Sequence, residues 1–149
     1  MKARLAYVNI LAKDIDALSS FYMGVFGFRE IEGHRSPIYR CLEAGGVELG
    51  FNAPLAGELL NIQARCPERG DGLATYITFE MESVDALEDT FHLALAYGAR
   101  VLTAPYDTYY NARQCVLEDP EGNCFRMNVR RGPRIPAGEL SNPPWASRS

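Results

Sequence analysis

The side chains best equipped for chemistry in this sequence are one arginine, one glutamate and a set of tyrosines. Arg126 lies in EDPEGNCFRMN, Glu118 to Asn128, where a tight turn leads into an alternating strand. A strand position just after such a turn commonly carries a metal-binding carboxylate, and here it carries the opposite charge. A fixed guanidinium offers bidentate hydrogen bonds to an anionic or carbonyl-rich ligand. It equally suits an internal salt bridge, with Glu48, Glu80 or Glu118 as the candidate partner, because a buried cation is costly unless paired. Glu48, in VELGFN, is the carboxylate best placed to serve as a general base, if any reaction occurs. The segment APYDTYYNARQ reads as a loop that brings Tyr106, Tyr109, Tyr110 and Arg113 to the mouth of the same region. With Tyr7 and Tyr76 these rings would form an aromatic box, apolar on their faces and polar at their hydroxyls.

Metal-binding spacing is not evident. The four cysteines, Cys41, Cys66, Cys115 and Cys124, are scattered, with no pair at zinc-ribbon or redox spacing, and read as free thiols. Cys41 and Cys115 fall in apolar strand patterns as small hydrophobes. His34 sits in the loop GHRSP, and His92 on the polar face of a helix beside Glu88 and Asp89. No metal and no cofactor are expected, since one inward carboxylate falls short of the roughly three protein ligands of a catalytic metal site.

The elements that must position these groups repeat. AYVNILAKDIDALSSFYMGVFGF matches TYITFEMESVDALEDTFHLALAYGA, with Tyr7 on Tyr76 and Asp16 on Asp85. Val8, Ile10 and Ala12 alternate with Tyr7, Asn9 and Leu11, as Ile77, Phe79 and Met81 alternate with Tyr76, Thr78 and Glu80, which is the period of a half-buried strand. Asp14 and Ser83 are the predicted N-caps. Leu18, Phe21, Tyr22 and Val25 form one helical stripe, and Leu87, Phe91, Ala94 and Leu95 the other. Gly24, Gly27 and Gly98 suit helix ends. Three shorter strands follow each helix: FREIEG, YRCLEAGG and VELGFN, then ARVLTAP, RQCVLED and NCFRMNV. Laying Cys41 on Cys115 and Asn52 on Asn128 sets Gly50 against Arg126.

The expected architecture is therefore α+β: tandem βαβββ units, 3–63 and 72–130, forming a cup-shaped, partly open mixed β-sheet barrel with helices outside. A proline-rich tail, 131–149, follows, with Ile135 and Trp145 as candidate anchors. Polar members of the alternation, including Tyr7, Asn9, Glu48, Tyr76, Thr78 and Arg126, would line the hollow, and a concave, partly polar surface is the natural place for a small-molecule ligand.

Bulk properties narrow the partners. The 149 residues, 47% apolar and 23% charged, suit one compact fold. The net charge of −4 and the lack of a basic run beyond Arg130 and Arg131 before the tail argue against nucleic acid. No apolar stretch approaches the roughly 20 residues that cross a bilayer, and MKARLAYVNI lacks the apolar core of a secretory signal. A cytoplasmic location is expected.

The strand, cap and helix ending in FYMGVFGF, the duplicated βαβββ unit and the EDPEGN turn together resemble the vicinal oxygen chelate superfamily. It includes glyoxalase I, extradiol dioxygenases, fosfomycin-resistance enzymes and bleomycin-resistance proteins. The resemblance covers roughly Ala3 to Val129. In metal-using members a divalent ion is held at positions that fall here on Tyr7, Gly50, Tyr76 and Arg126, none a usual ligand. The resemblance therefore implies a binder like the bleomycin-resistance branch, sequestering an aromatic or planar compound and linked with antibiotic resistance. The alternatives are a metal-independent lyase- or isomerase-like enzyme using Glu48 and Arg126, and the superfamily's metal-dependent lyase, isomerase or dioxygenase chemistry with ligands elsewhere. A homodimer is expected by analogy, since open sheet edges can be completed by a second copy.

Overall fold

Two alternating strands followed by capped amphipathic helices dictate most of the structure. The computed structural model describes residues 3–62, 64, 75–133, 135, 136, 139 and 140. It divides into unit 1, Met1–Gly72 with Pro120–Gly122, and unit 2, Leu73–Asp119 with Asn123–Ser149. Cys66 and Trp145 lie outside the described residues. The class is α+β, and the described residues form two open four-stranded mixed sheets and three α-helices, so neither sheet closes on itself.

Unit 1 runs β1 (Tyr7–Leu11), α1 (Ile15–Phe26), β2 (Arg29–Glu30), a 3-10 turn (Glu32–His34), β3 (Tyr39–Glu43), β4 (Glu48–Asn52) and α2 (Pro54–Leu59). Its sheet order is β1-β4-β3-β2, with β1 parallel to β4 and the other pairs antiparallel. The Asp14 side chain accepts from the Ala17 N–H at 2.9 Å, opening α1 as a short acidic N-cap should. Gly27, at φ 71°, closes it in the left-handed conformation that a Cβ would penalise. The stripe Leu18, Phe21, Tyr22 and Val25 is buried together with Ile10, Leu42, Leu49 and Phe51, and the Tyr22 and Phe51 rings are 5.5 Å apart.

Unit 2 repeats the plan: β5 (Ile77–Glu80), α3 (Val84–Ala96), β6 (Arg100–Asp107), β7 (Ala112–Glu118) and β8 (Cys124–Arg130), in sheet order β5-β8-β7-β6. Ser83 Oγ accepts from the Ala86 N–H at 3.0 Å. Leu87, Phe91 and Ala94 bury with Cys115, Leu117, Phe125, Met127 and Val129. In the EDPEGN turn the buried Asp119 carboxylate accepts from the Asn123 backbone N–H at 3.0 Å and from its Nδ2 at 3.1 Å, which aims β8.

Several expectations need correction. Leu95 is exposed, because it sits one residue, about 100° of helix rotation, beyond Ala94 at the centre of the stripe. Gly24 lies inside α1 rather than at its end. FREIEG yields only the two-residue β2 before turning 3-10. The supposed loop APYDTYYNARQ is mostly strand: β6 continues to Asp107 and β7 starts at Ala112, around a tight turn in which Asn111 has φ 61°. Cys41 and Cys115 are not equivalent, for Cys41 pairs with Gly50 whereas Cys115 pairs with Met127 and Arg126 pairs with Val116.

Phe125, fully buried on β8 and edge-on to Phe79, closes the core of unit 2. Phe125→Ala is expected to lower the unfolding free energy by about 3–5 kcal/mol, measured as the shift in denaturant midpoint with an unchanged slope.

Candidate functional site

In unit 2 the parallel register sets Thr78 beside Arg126 and Glu80 beside Asn128, so the polar members of both strands share the face turned away from the core. Arg126 Nε donates to Thr78 Oγ1 at 3.1 Å and Nη1 to Gln114 Oε1 at 3.5 Å, and the guanidinium lies 5.4 Å from the centre of the Tyr76 ring. Gln114 Oε1 also accepts from the Tyr110 hydroxyl, and Gln114 Nε2 donates to the Tyr106 hydroxyl. Tyr109 packs edge-on against Tyr110, ring centres 4.9 Å apart. Tyr76, Thr78, Tyr109, Tyr110 and Arg126 thus belong to one patch.

Two of the carboxylates considered for Arg126 are engaged otherwise. Glu80 accepts from Asn128 Nδ2 at 2.8 Å and from the Arg130 N–H at 3.0 Å, and Glu118 pairs with Arg100. Among the described residues Arg126 has no carboxylate partner, and its neighbours are an amide, a hydroxyl and a ring. Burial pushes the Tyr110 phenol above its ordinary value, and the Arg126 charge pulls it part of the way back.

Arg113 does not join this patch. Its Nε meets Glu88 Oε1 at 2.6 Å and its Nη1 meets Asp107 Oδ1 at 3.2 Å, so it serves the α3 side of the sheet. Strand alternation explains the split, since Arg113 and Cys115 face α3 while Gln114 faces away. Gln114 was not singled out although RQCVLED was read as a strand; the alternation of Gln114, Val116 and Glu118 with Arg113, Cys115 and Leu117 was the available signal.

In unit 1 the same face carries Tyr7 opposite Glu48 and Asn9 opposite Gly50. Asn9 Oδ1 accepts from Asn52 Nδ2 at 3.1 Å. A Cβ on Gly50 would lie 2.5 Å from Asn9 Oδ1 and 2.6 Å from the Tyr39 hydroxyl, so the bare backbone is what lets the Tyr39 phenol fold over the strand. Glu48 Oε2 lies 3.4 Å from Cys41 Sγ and 3.7 Å from His34 Nδ1. The donor atoms of His34, Cys41 and Glu48 all lie within 4.8 Å of one another, a convergence that sequence spacing did not reveal. Burial raises the Cys41 thiol, aided by Glu48 and opposed by the Tyr39 hydrogen bond. The Tyr39 phenol is pushed up as well, chiefly by burial and then by its bond to Cys41.

The four positions that the family resemblance assigns to a divalent ion do not fit one. Gly50 offers no donor, Tyr76 lies beneath the Arg126 cation, and a guanidinium has no lone pair to give.

Comparison with known proteins fits this description. Residues 4–127 match the model of the Glyoxalase/Bleomycin resistance protein/Dioxygenase superfamily. The chain belongs to that superfamily. It is similar to a glyoxalase/bleomycin resistance protein/dioxygenase family enzyme from Burkholderia phytofirmans PsJN, at 44% identity over 85% of this chain and 98% of that one, with a TM-score of 0.81. The fold is shared with a glyoxalase-related enzyme from Fulvimarina pelagi, 16% identical over 93% and 95% of the two chains, TM-score 0.76. It is also shared with lactoylglutathione lyase from Agrobacterium tumefaciens, 18% identical over 87% and 95%, TM-score 0.65. No curated protein matches. Among the described residues no helix is long and apolar enough to cross a membrane.

The raised Tyr110 value carries a sign for alkaline stability. Its contribution is intact below the ordinary phenol value of about 10 and is lost as pH rises through the higher folded value. An ultraviolet phenolate titration should show late ionisation of Tyr39 and Tyr110, the Tyr110 component disappearing in Tyr110→Phe and ionising later still in Arg126→Ala.

Proposed function

We propose that the protein binds a small planar or aromatic molecule bearing a carboxylate or comparable oxyanion, with Arg126 as its anchor. One observation carries this reading: a half-buried guanidinium has only neutral partners among the described residues. Its remaining N–H donors are available for an acceptor, and an arginine presents them in the planar fork that a carboxylate matches. Tyr76 and the Tyr106, Tyr109 and Tyr110 group supply aromatic surface, while Gln114 ties two of those hydroxyls to the guanidinium. The patch favours anions over the cationic drugs that net charge alone would suggest.

In this reading the ligand is held unchanged, in the manner of a sequestering protein, and the family's metal positions play no part. A homodimer belongs to the same proposal and is measured by sedimentation at micromolar concentration.

A second reading, catalysis, is favoured by the naming of the 44% identical Burkholderia protein as an enzyme. There the Arg126 guanidinium would stabilise a developing enolate charge on the bound molecule.

The test is calorimetric titration with aromatic carboxylates, each paired with its uncharged amide. Carboxylates should bind and amides should not. Arg126→Ala should weaken binding about 10- to 100-fold, the value of a charge-assisted hydrogen bond of about 1.5–3 kcal/mol, and Arg126→Lys should recover part of it. Equal binding of the amides, or affinity unchanged in Arg126→Ala, would remove the proposal. Mass spectrometry of the recovered ligand separates sequestration from turnover.

A further inference from the structure

We propose that unit 1 carries a divalent transition-metal site of the zinc class, formed by the His34 imidazole, the Cys41 thiolate and the Glu48 carboxylate. The site lies apart from the four positions the family resemblance gives to a metal. It also does not depend on the Arg126 reading, because every donor belongs to the 3-10 turn, β3 and β4 of unit 1.

The geometry is the first argument. Zinc bonds of about 2.0–2.3 Å in a tetrahedral arrangement separate neighbouring donor atoms by about 3.3–3.8 Å. The distances from Glu48 Oε2 to Cys41 Sγ, 3.4 Å, and to His34 Nδ1, 3.7 Å, already lie in that interval. All three donors fall within 4.8 Å of one another, so a small movement of His34 completes the third edge. His34 has room for it, its side chain being 46% exposed on the short turn.

The donor chemistry is the second argument. One nitrogen, one sulfur and one carboxylate oxygen make a borderline-soft set, suited to zinc and its neighbours and poorly suited to magnesium or calcium, which take oxygen. Three protein ligands leave a fourth tetrahedral position for water or a ligand atom. Binding expels the thiol proton: Cys–SH and M²⁺ give Cys–S–M⁺ and H⁺, the proton leaving to solvent.

The surroundings are the third. Cys41 is fully buried, as ordinary strand cysteines often are, and its sulfur meets the Glu48 carboxylate and the Tyr39 phenol. The Tyr39 hydroxyl, which folds over Gly50, is placed to donate to the sulfur and orient it, the role outer partners play at metal sites. On the competing account the three groups form only a thiol–carboxylate hydrogen bond and an imidazole–carboxylate pair.

The experiment uses the full chain, stripped with chelator, and cobalt(II) as the spectroscopic probe, with zinc competition to obtain affinity. Expected is one equivalent of cobalt with a thiolate-to-metal charge-transfer band. Cys41→Ser should abolish the band, and Cys124→Ser should keep it. His34→Ala and Glu48→Gln should each weaken zinc about 100-fold or more, beyond the roughly 10–100-fold that losing an outer partner costs, while Tyr39→Phe falls within that smaller range. Half-exposed His34 is a safe site for substitution, and circular dichroism checks the fold of the Cys41 variant. Arg126→Ala should leave metal binding unchanged, which separates this inference from the proposed function. Absence of the band in the wild type, its survival in Cys41→Ser, or zinc affinity unchanged in both His34→Ala and Glu48→Gln would overturn the site.

Discussion

In each unit the last strand is seated between a parallel and an antiparallel neighbour, and everything else about the two faces depends on that register. Strand β4 lies between β1 and β3, and β8 between β5 and β7. Because side chains alternate with period two, a slip of one residue would turn Phe125 and Met127 out of the core and put Arg126 and Asn128 into it. Burial of the apolar set holds the register, and the register then delivers the polar set to the opposite face without further specification. The buried Asp119 contributes by fixing the turn from which β8 departs.

Equivalent places in the two units have been put to opposite uses. Gly50 is bare, and the space above it is taken by the Tyr39 phenol and the Asn9 amide. Arg126 fills its counterpart with a long cation that rests on Thr78, Gln114 and the Tyr76 ring. One face therefore gathers a thiol, an imidazole and a carboxylate, and the other a guanidinium among phenols. A shared backbone plan constrains where side chains point and leaves their chemistry free.

Much of this was legible in order of appearance along the chain. Caps at Asp14 and Ser83, the buried stripes and the repeat all follow from local rules, because each involves residues within a few positions of one another. The patch was only half legible. Tyr76, Thr78 and Arg126 follow from alternation, but placing Gln114 in the patch and Arg113 on the opposite face required the pairing register of β7 with β8, which sets Gln114 against Asn128 and Arg113 against Val129. Leu95 shows the same limit at a helix edge.

Composition, alternation and capping by themselves determined the α+β class, the doubled unit and which strand residues are polar-facing, since these depend on short-range periodicity and on the separation of apolar from polar groups. Only the tertiary structure decided which polar groups meet. The approach of His34 to Cys41 and Glu48 needs the 3-10 turn to fold back beside β3 and β4, and the carboxylates near Arg126 are drawn to Arg100, Asn128 and Arg130 by cross-strand neighbours that are distant in sequence. Such pairings are set by competition among several partners in space, a choice that no local pattern encodes.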